Sequence, residues 1–394
     1  MEPLSLYLHI PFCRHRCAYC DFNTYAGLDN LIPAYTGALK REIELLAESA
    51  GSRMEAHTIF FGGGTPSLLP VEALAEIMQA LRSCFDLLPE VEATLEANPG
   101  TLDPDYLRAL RSLGINRLSL GMQSASPEEL ILLEREHDFK DVIRAVTWAR
   151  QAGFEQINLD LIFGLPEQSL ASWRNTLELA LGLLPEHFSL YSLTLEHGTP
   201  MHHWANRGLI SEPDPEAAAE MYEYASSRLE EAGYRQYEIS NWARAGSQGV
   251  VMACRHNLQY WRGLPYLGLG AGAHGYAAGV RTENVRAPSA YIRRLEQPSP
   301  KDFPCTPATL ASRLVSREDE LAETMMMGLR LVEEGVGEAA FAARFGQSLR
   351  QVYGRQIERL ERQGLLEWGG PEGGRLRLTE KGRLLGNRVF VEFV

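Results

Sequence analysis

Six apolar runs recur along the first half of the chain, and an amphipathic stretch follows most of them. Runs of this length predict strands, and apolar positions spaced at three and four residues in the intervening stretches predict helices. Alternating strands and helices indicate parallel strands joined by right-handed crossovers. Six such units before about residue 235 fit an α/β fold with a partial (β/α)6 barrel better than a complete eight-fold barrel. The predicted strands cover residues 4–10, 57–64, 92–98, 117–123, 157–164 and 187–196.

The second half of the chain is less regular. Residues 236–300 are dense in Gly, His and aromatic residues, and the Pro-rich segment 296–304 indicates a linker. Residues 305–394 show helical patterns that end, over 360–385, in the order helix, strand, Gly-rich turn, strand, helix. That order is typical of a winged-helix-like domain. We therefore expect domains at 1–235, 236–300 and 305–394.

The composition indicates a folded protein that stays inside the cell. Apolar residues make up 45% of the chain and charged residues 23%, as in globular domains. No apolar stretch approaches the roughly 18 residues of a membrane span, and the N-terminus lacks the basic region of a signal peptide. The six cysteines do not form a disulfide-like framework. We expect a cytoplasmic protein with reduced thiols and no membrane span.

The charge distribution bears on nucleic-acid binding, which a winged-helix-like domain also suggests. The net charge of −13 disfavours a protein that wraps nucleic acid or lies on an anionic membrane. Residues 340–394 are locally basic, with ten Arg or Lys against six Glu. That excess is small and contains no Lys cluster, so it favours a lid or partner-docking module. We expect no nucleic-acid partner.

Three cysteines lie close together in the stretch "HIPFCRHRCAYCDFNTY", as Cys13, Cys17 and Cys20. A structural zinc site takes four protein ligands, often as two C-x2-C pairs, and no second pair follows here. A cubane iron–sulfur cluster held by three thiolates keeps one iron open for a small-molecule ligand. The spacing favours such a cluster, with zinc as the alternative. The candidates for a fourth zinc ligand are His9, His15 and Asp21.

Polar side chains stand at or near the ends of the predicted strands. In β/α barrels, the carboxyl ends of the strands meet at one mouth, where ligands bind. The cysteine loop follows the first strand, so we expect the other groups to converge on it. These groups are Gly62, Gly63, Gly64, Thr65, Glu96, Asn98, Gln123, Asp160, Glu196 and His197.

The chain resembles the radical S-adenosylmethionine (radical SAM) family. Its C-x3-C-x2-C motif is matched by the three cysteines, and the family's glycine motif is matched by residues 62–64. The resemblance implies a [4Fe-4S] cluster whose open iron is chelated by the amino and carboxylate groups of S-adenosylmethionine. Electron transfer from the cluster then cleaves the sulfonium. The segments "YLHIPFC", "FFGGGTPS", "EANP", "LSLGMQS" and "DLIFGLP" are similar to the coproporphyrinogen-oxidase-like branch of the family.

This resemblance also implies which residues contact S-adenosylmethionine. Carboxylates would bind the ribose hydroxyls, and Arg135 would bind the methionine carboxylate as a bidentate pair. Two alternatives stay open: Arg135 as an exposed helix charge, and Asp160 as a buried residue that caps a turn. The implied contacts are Tyr7, Gly62, Gly63, Gly64, Thr65, Glu96, Gln123, Arg135 and Asp160.

Two subfamilies of the branch compete for this chain. One is the oxygen-independent coproporphyrinogen III oxidase, which decarboxylates two propionates oxidatively to vinyl groups. The other is the HemW-type heme chaperone, which keeps the cluster motif and delivers heme to acceptor proteins. The oxidase pattern has a further cysteine where this chain has Phe22, and a longer segment before the first strand, which begins here at residue 4. Both departures favour the chaperone.

The segment "CRHNLQYWRG" (254–263) favours the same subfamily, which carries an H-N-x-x-Y-W element. The resemblance implies that His256 binds heme iron and that Tyr260 and Trp261 pack on the porphyrin. Arg255 or Arg262 would then meet the propionates. A core histidine with an ordinary hydrogen bond is the alternative. We expect a heme chaperone that hands heme to an acceptor protein, with the oxidase as the alternative and no catalytic residue assigned.

Overall fold

The computed structural model describes residues 4–246, 249–296, 301–370 and 373–394. Its strands are β1 Leu4–Ile10, β2 Phe12–Cys13, β3 Tyr25–Ala26, β4 Glu55–Gly63, β5 Asp86–Ala97, β6 Arg117–Gln123, β7 Gln156–Phe163, β8 His187–Ser192, β9 Tyr234–Glu238, β10 Asn241–Arg244, β11 Tyr266–Leu269, β12 His274–Ala277, β13 Val280–Asn284, β14 Thr309–Leu314, β15 Val336–Gly337, β16 Leu366–Gly369 and β17 Arg375–Leu378.

The helices alternate with these strands. They are α1 Ile32–Ala50, α2 Val71–Cys84, α3 Pro104–Leu113, α4 Pro127–Leu132, α5 Phe139–Gln151, α6 Leu170–Leu181, α7 Pro200–Asn206, α8 Pro215–Glu231, α9 Arg255–Trp261, α10 Pro288–Glu296, α11 Arg317–Gly328, α12 Glu338–Phe345, α13 Leu349–Arg362, α14 Glu380–Leu384 and α15 Gly386–Phe390. Within the described ranges, no helix is long and apolar enough to cross a bilayer.

The chain folds into two compact units. Unit 1 comprises Met1–Ser227 and Pro265–Arg313, and unit 2 comprises Arg228–Leu264 and Leu314–Val394. The sequence-based domains 1–235, 236–300 and 305–394 stay a prediction. The compact units divide the chain at other points, because the glycine-rich middle of the chain contributes to both.

Unit 1 is built on six parallel strands that lie side by side in chain order, β1-β4-β5-β6-β7-β8. Their central residues are apolar and buried, as in Leu8 opposite Phe61 and Phe61 opposite Leu95. Such strands are covered on both faces, so they carry continuous apolar runs. Several connecting helices begin at side-chain caps, for example Asp103 on α3 and Ser169 on α6. The predicted α/β fold with a partial (β/α)6 barrel is confirmed.

The sheet of unit 1 extends beyond the six predicted strands. On the free side of β1, β11 pairs in parallel from Ser5–Tyr266 to Leu8–Leu269. Antiparallel β12 and β13 follow, and β14 comes next in the strand order. Strands β11 and β12 have only four residues, and β13 and β14 have no continuous apolar run, so the apolar pattern that predicts strands is weak there. The sequence analysis predicted no strand in this region.

Unit 2 has its own core. An antiparallel hairpin of β9 and β10 precedes α9, and helices α11 to α15 pack around a three-stranded sheet in the order β15-β17-β16. The order α13, β16, turn, β17, α14 agrees with the predicted winged-helix-like pattern. The core includes Met325, Phe341, Leu349, Ile357 and Leu376, which are almost completely buried.

Candidate functional site

A cavity of about 560 Å³ opens at the carboxyl ends of the parallel strands of unit 1. This volume suits a ligand of nucleoside size or larger. Most of the residues named from the sequence converge on this cavity, as predicted. Those that line the cavity are Cys13, Cys17, Cys20, Gly63, Gly64, Thr65, Glu96, Asn98, Gln123, Arg135, Asp160 and Glu196. Tyr7 and Gly62 lie directly behind this lining, next to Glu96.

The three thiols are free and each has a polar neighbour. Thr65 Oγ1 donates to Cys13 Sγ at 3.7 Å, and Arg135 Nη1 donates to Cys17 Sγ at 3.5 Å. Burial raises the pKa of the Cys13 and Cys20 thiols, and the neighbouring cysteines raise it further. Thiolates crowded in this way need a compensating positive centre.

The three thiols bear on the two kinds of metal site that the sequence analysis kept open. Among the residues that the structure describes, no three His, Cys, Asp or Glu side chains are placed to hold a single metal ion. A tetrahedral zinc ion requires such a convergence. A cubane cluster takes each thiolate on a different iron, so the sulfurs stand farther apart. The donor set fits an iron–sulfur cluster.

Two glycines at the end of β4 allow the cysteine loop to pack against this strand. Gly64 N donates to Ile10 O at 2.8 Å, and a Cβ at Gly64 would lie 2.6 Å from Phe12 O. Gly63 has φ +112°, and a Cβ there would lie 2.5 Å from the His9 ring. The run therefore has a packing role of its own, because it fixes the loop that leads into Cys13.

Two buried carboxyl groups, Glu96 and Asp160, face the cavity, and neither forms an ion pair with a described residue. Glu96 accepts from Gly63 N at 3.1 Å, and burial together with the charge of Asp160 raises the pKa of Glu96 to about 8. Asp160 accepts from Ser119 Oγ at 2.9 Å and from Asn158 Nδ2 at 2.7 Å. Burial raises the pKa of Asp160, and these hydrogen bonds oppose the rise. Asp160 lies within β7 and does not cap a turn.

Arg135 is a cavity residue and not an exposed helix charge. Its Nη2 donates to Gly121 O at 3.0 Å, and its buried Nε has no hydrogen-bond partner among the described residues. A buried donor without a partner indicates a missing acceptor. The carboxylate of an amino-acid ligand is an acceptor of this kind, and it can bind a guanidinium through two hydrogen bonds.

The backbone around Arg135 is strained. The pairing of β6 with β7 shifts register between Gly121 and Gln123, and Gln123 has φ +64°. Glu134 has φ +53°, and its carboxylate lies 3.1 Å from His15 Nε2 on the cysteine loop. Bulges and left-handed residues of this kind concentrate beside functional sites, because they redirect side chains.

Several supporting residues were missed from the sequence. His137 Nε2 lies 3.0 Å from Met122 O next to the bulge, and burial together with nearby Arg135 lowers the pKa of His137 to about 4. Ser119 and Asn158 hold Asp160. Their signal was a polar residue inside an apolar strand, "RLSLG" and "INLDL", where a buried hydroxyl or amide needs a partner.

The candidate heme element lies in unit 2, on and around α9. His256 is only 1% exposed, and its Nε2 is 2.9 Å from the Tyr260 hydroxyl. Trp261 packs against the Arg330 guanidinium at 5.0 Å, and its buried Nε1 has no hydrogen-bond partner among the described residues. Arg262 forms an ion pair with Glu334 at 2.8 Å. The residue types suit heme, but Nε2 of the His256 imidazole is hydrogen-bonded to Tyr260.

Comparisons with known proteins bear on both units. Residues 7–180 match the model of the radical SAM superfamily, and residues 315–385 match that of the HemN C-terminal domain. The chain is 39% identical to the heme chaperone HemW of Bacillus subtilis over 99% of both chains. It is 37% identical to "Radical S-adenosyl methionine domain-containing protein 1, mitochondrial" of Bos taurus, over 92% of this chain and 81% of that protein.

A solved structure shares the fold. It is the coproporphyrinogen III oxidase HemN from Escherichia coli, described as a radical SAM enzyme, with a TM-score of 0.82. The likeness covers 99% of this chain and 90% of the other, at 24% identity. At that identity, the comparison establishes the fold and leaves the activity to other evidence.

Proposed function

Since this chain belongs to the radical SAM superfamily and, within it, to the family of the HemW heme chaperones, we propose that it binds heme and passes it to an acceptor protein. The observation that carries this proposal is the 39% identity to a heme chaperone over 99% of the chain. The proposal includes a [4Fe-4S] cluster and S-adenosylmethionine as bound cofactors, and it places the protein in the cytoplasm.

The residues of the cavity have distinct roles in this proposal. Cys13, Cys17 and Cys20 would hold the cluster, which when bound supplies an iron with an open position and a transferable electron. Arg135 would bind the methionine carboxylate through its unpartnered Nε and a second nitrogen. Glu96 and Asp160 would accept hydrogen bonds from the ribose hydroxyls, and burial of the two carboxyl groups makes such bonds favourable. Tyr7, Gly62, Gly63, Gly64, Thr65 and Gln123 would complete the contacts to the cofactor.

Heme would bind at the element on α9. The imidazole of His256 is a suitable axial ligand, and the Tyr260 hydroxyl would have to leave Nε2 for that nitrogen to coordinate iron. Such an exchange costs one hydrogen bond, about 1 kcal/mol net. The rings of Tyr260 and Trp261 would pack on the porphyrin, and the unpartnered Trp261 Nε1 would find an acceptor on the ligand.

The alternative activity is oxidation of coproporphyrinogen III. Phe22 is 64% exposed and lines the cavity of unit 1. A phenylalanine at this point offers no thiol where the oxidase pattern has one, which supports the chaperone over the oxidase.

An anaerobic turnover assay separates the two activities. Cluster-loaded protein is incubated with a reductant, S-adenosylmethionine and coproporphyrinogen III, and the porphyrins are separated afterwards. The proposal predicts unchanged coproporphyrinogen, with the cluster still intact by its absorbance. Cys20→Ser serves as the control for product formed without a complete cluster. Protoporphyrinogen formed by the wild-type protein and not by Cys20→Ser would establish an oxidase.

A further inference from the structure

Three imidazoles cluster where the chain passes from β8 to α7, in the stretch "EHGTPMHH" (196–203). The ring centroids of His197 and His202 are 5.1 Å apart, and those of His202 and His203 are 5.9 Å apart. Glu196, which precedes this cluster, lines the cavity of unit 1. The histidines therefore stand at the rim of the cavity, and they belong neither to the cysteine loop nor to the element on α9.

The backbone that carries these imidazoles is fixed on both sides. Thr199 Oγ1 donates to Glu196 O at 2.8 Å and accepts from His202 N at 3.2 Å, so it closes the turn and caps α7. Met201 is completely buried, and its N donates to Ala18 O of the cysteine loop at 3.0 Å. The side chain of His197 is exposed and that of His202 is half-buried. One imidazole on the turn and one on the first turn of α7 are thus held close together.

The spacing of the first two imidazoles suits a shared metal ion. Two imidazoles on one tetrahedral ion have ring centroids roughly 5 Å apart, because the metal–nitrogen distance is about 2.1 Å. Asn206 Nδ2 lies 3.2 Å from His202 Nδ1 and 3.3 Å from Nε2. As a donor it can bond only to a ring nitrogen that carries no proton, which is the nitrogen a metal ion would need, so the amide has to rotate away when an ion binds.

We propose that His197 and His202 form a binding site for a divalent first-row transition-metal ion. Water or a ligand from solution fills the remaining positions, because no third His, Cys, Asp or Glu of the described residues converges on the same point. Imidazole suits zinc, cobalt, nickel and copper ions. Heme iron offers its axial positions on opposite faces of the porphyrin, so two adjacent imidazoles cannot both bind it. The site therefore takes a free ion, and it goes beyond the proposed heme function.

The test uses Co²⁺ as the probe and the cluster-loaded protein under anaerobic conditions, so that the cysteines are occupied. Binding is followed by titration calorimetry and by visible absorption, which reports the coordination of cobalt. The wild-type protein is expected to bind one Co²⁺ at this site. His197→Ala and His202→Ala are each expected to weaken binding at least about tenfold, the loss that even an outer-shell partner causes. His274→Ala removes an exposed imidazole elsewhere in unit 1 and is expected to leave the affinity unchanged.

Two titrations can each overturn the proposal, the first with Co²⁺ and the second with heme. The first does so if Co²⁺ binds with equal affinity to the wild-type protein and to both variants, or does not bind to the folded wild-type protein. The second is run in parallel on the same proteins. If heme affinity falls in His197→Ala while Co²⁺ affinity does not, the imidazole serves heme and not a free ion. Because His197 is exposed and His202 is only half-buried on the short helix α7, circular dichroism of the variants is expected to match the wild type.

Discussion

Replacement of Glu42 by glutamine is the most informative test of how the sheet extension supports the site. Glu42 lies on α1, is completely buried, and its carboxylate accepts four hydrogen bonds from the chain segment 270–306. Two go to Oε1 and two to Oε2, at 2.6 to 2.8 Å. The donors are Gly270 N, Asn284 Nδ2, Tyr291 OH and Thr306 Oγ1.

The magnitude follows from the kinds of donor. Each carboxylate oxygen has one hydroxyl donor, which can rotate to accept, and one N–H donor, which cannot. Whichever way the glutamine amide points, its NH2 group faces either Gly270 N–H or Asn284 NH2. One charge-assisted hydrogen bond is lost, at about 1.5–3 kcal/mol, and a buried donor is left unsatisfied, at about 1–3 kcal/mol. The saving from no longer burying a charge offsets part of this, so we expect a net loss of about 3 kcal/mol.

The loss should reach the cysteine loop through a short path. Ala271 N donates to the Tyr35 hydroxyl at 2.8 Å, and that hydroxyl donates to His9 O at 2.7 Å. Asn23, just after the cysteines, donates to Ala271 O at 3.0 Å. A turn released at Gly270 therefore loosens both ends of the loop, and the cluster should be lost faster on exposure to air.

The assay compares Glu42→Gln with Glu44→Gln, an exposed carboxylate on the same helix that pairs with Arg41 at 3.2 Å. Surface pairs of this kind contribute about 0–1 kcal/mol. Urea unfolding by circular dichroism and the decay of cluster absorbance are measured for both variants. We expect a lower urea midpoint and faster decay for Glu42→Gln alone. Equal midpoints in the two variants would refute the reasoning.

Three further predictions concern the cavity. Gly64→Ala is expected to destabilise the protein by about 1–3 kcal/mol, because the new Cβ would clash with Phe12 O. The control is Gly37→Ala, whose Cβ would meet nothing within 4 Å. In thermal unfolding this control should be neutral or stabilising. Arg135→Lys keeps the charge and loses the two parallel N–H donors of the guanidinium. Calorimetry should show S-adenosylmethionine binding at least about tenfold weaker, the equivalent of one hydrogen bond to a charged group. Unchanged affinity would remove Arg135 from the site. The pKa of Glu96 is about 8 in the folded protein against an ordinary value of 4.5. Between these two pH values the unfolded chain therefore binds fewer protons than the folded protein. The stability of the cofactor-free protein should then fall as the pH rises from 4.5 to 8. Glu96→Gln should flatten that pH dependence, and an unaltered slope in urea unfolding would contradict the assignment.

The parts of the fold that the sequence predicted best are those with long apolar runs. The strands expected at 4–10 and 117–123 occur as Leu4–Ile10 and Arg117–Gln123. The strand expected at 92–98 begins earlier, at Asp86. Its first residues, "DLLPE", were missed because they contain a proline, which is rare inside strands. Strands β11 to β13 were missed, since a strand of four or five residues with few apolar positions carries little periodicity.

The site was predictable where residues follow one another in a motif. Cys13, Cys17 and Cys20 share a loop, and the residues that end the parallel strands converge because the topology brings them to one mouth. Contacts between distant segments leave no such pattern. Glu42 is one charged residue on an amphipathic helix, and its partners lie more than two hundred residues away. The engagement of His256 by Tyr260 likewise depends on side-chain rotamers that spacing does not specify.

The measurement that tests the central claim most directly is an anaerobic heme titration of three proteins: the wild type, His256→Ala and Tyr260→Phe. The account predicts one heme per wild-type chain, at least about tenfold weaker binding by His256→Ala, and the cluster intact in all three. Tyr260→Phe keeps the ring and frees Nε2 from its hydroxyl partner, so heme should bind about fivefold more tightly, the equivalent of about 1 kcal/mol. Heme binding that is the same in all three proteins, or absent from the wild type, would contradict the account.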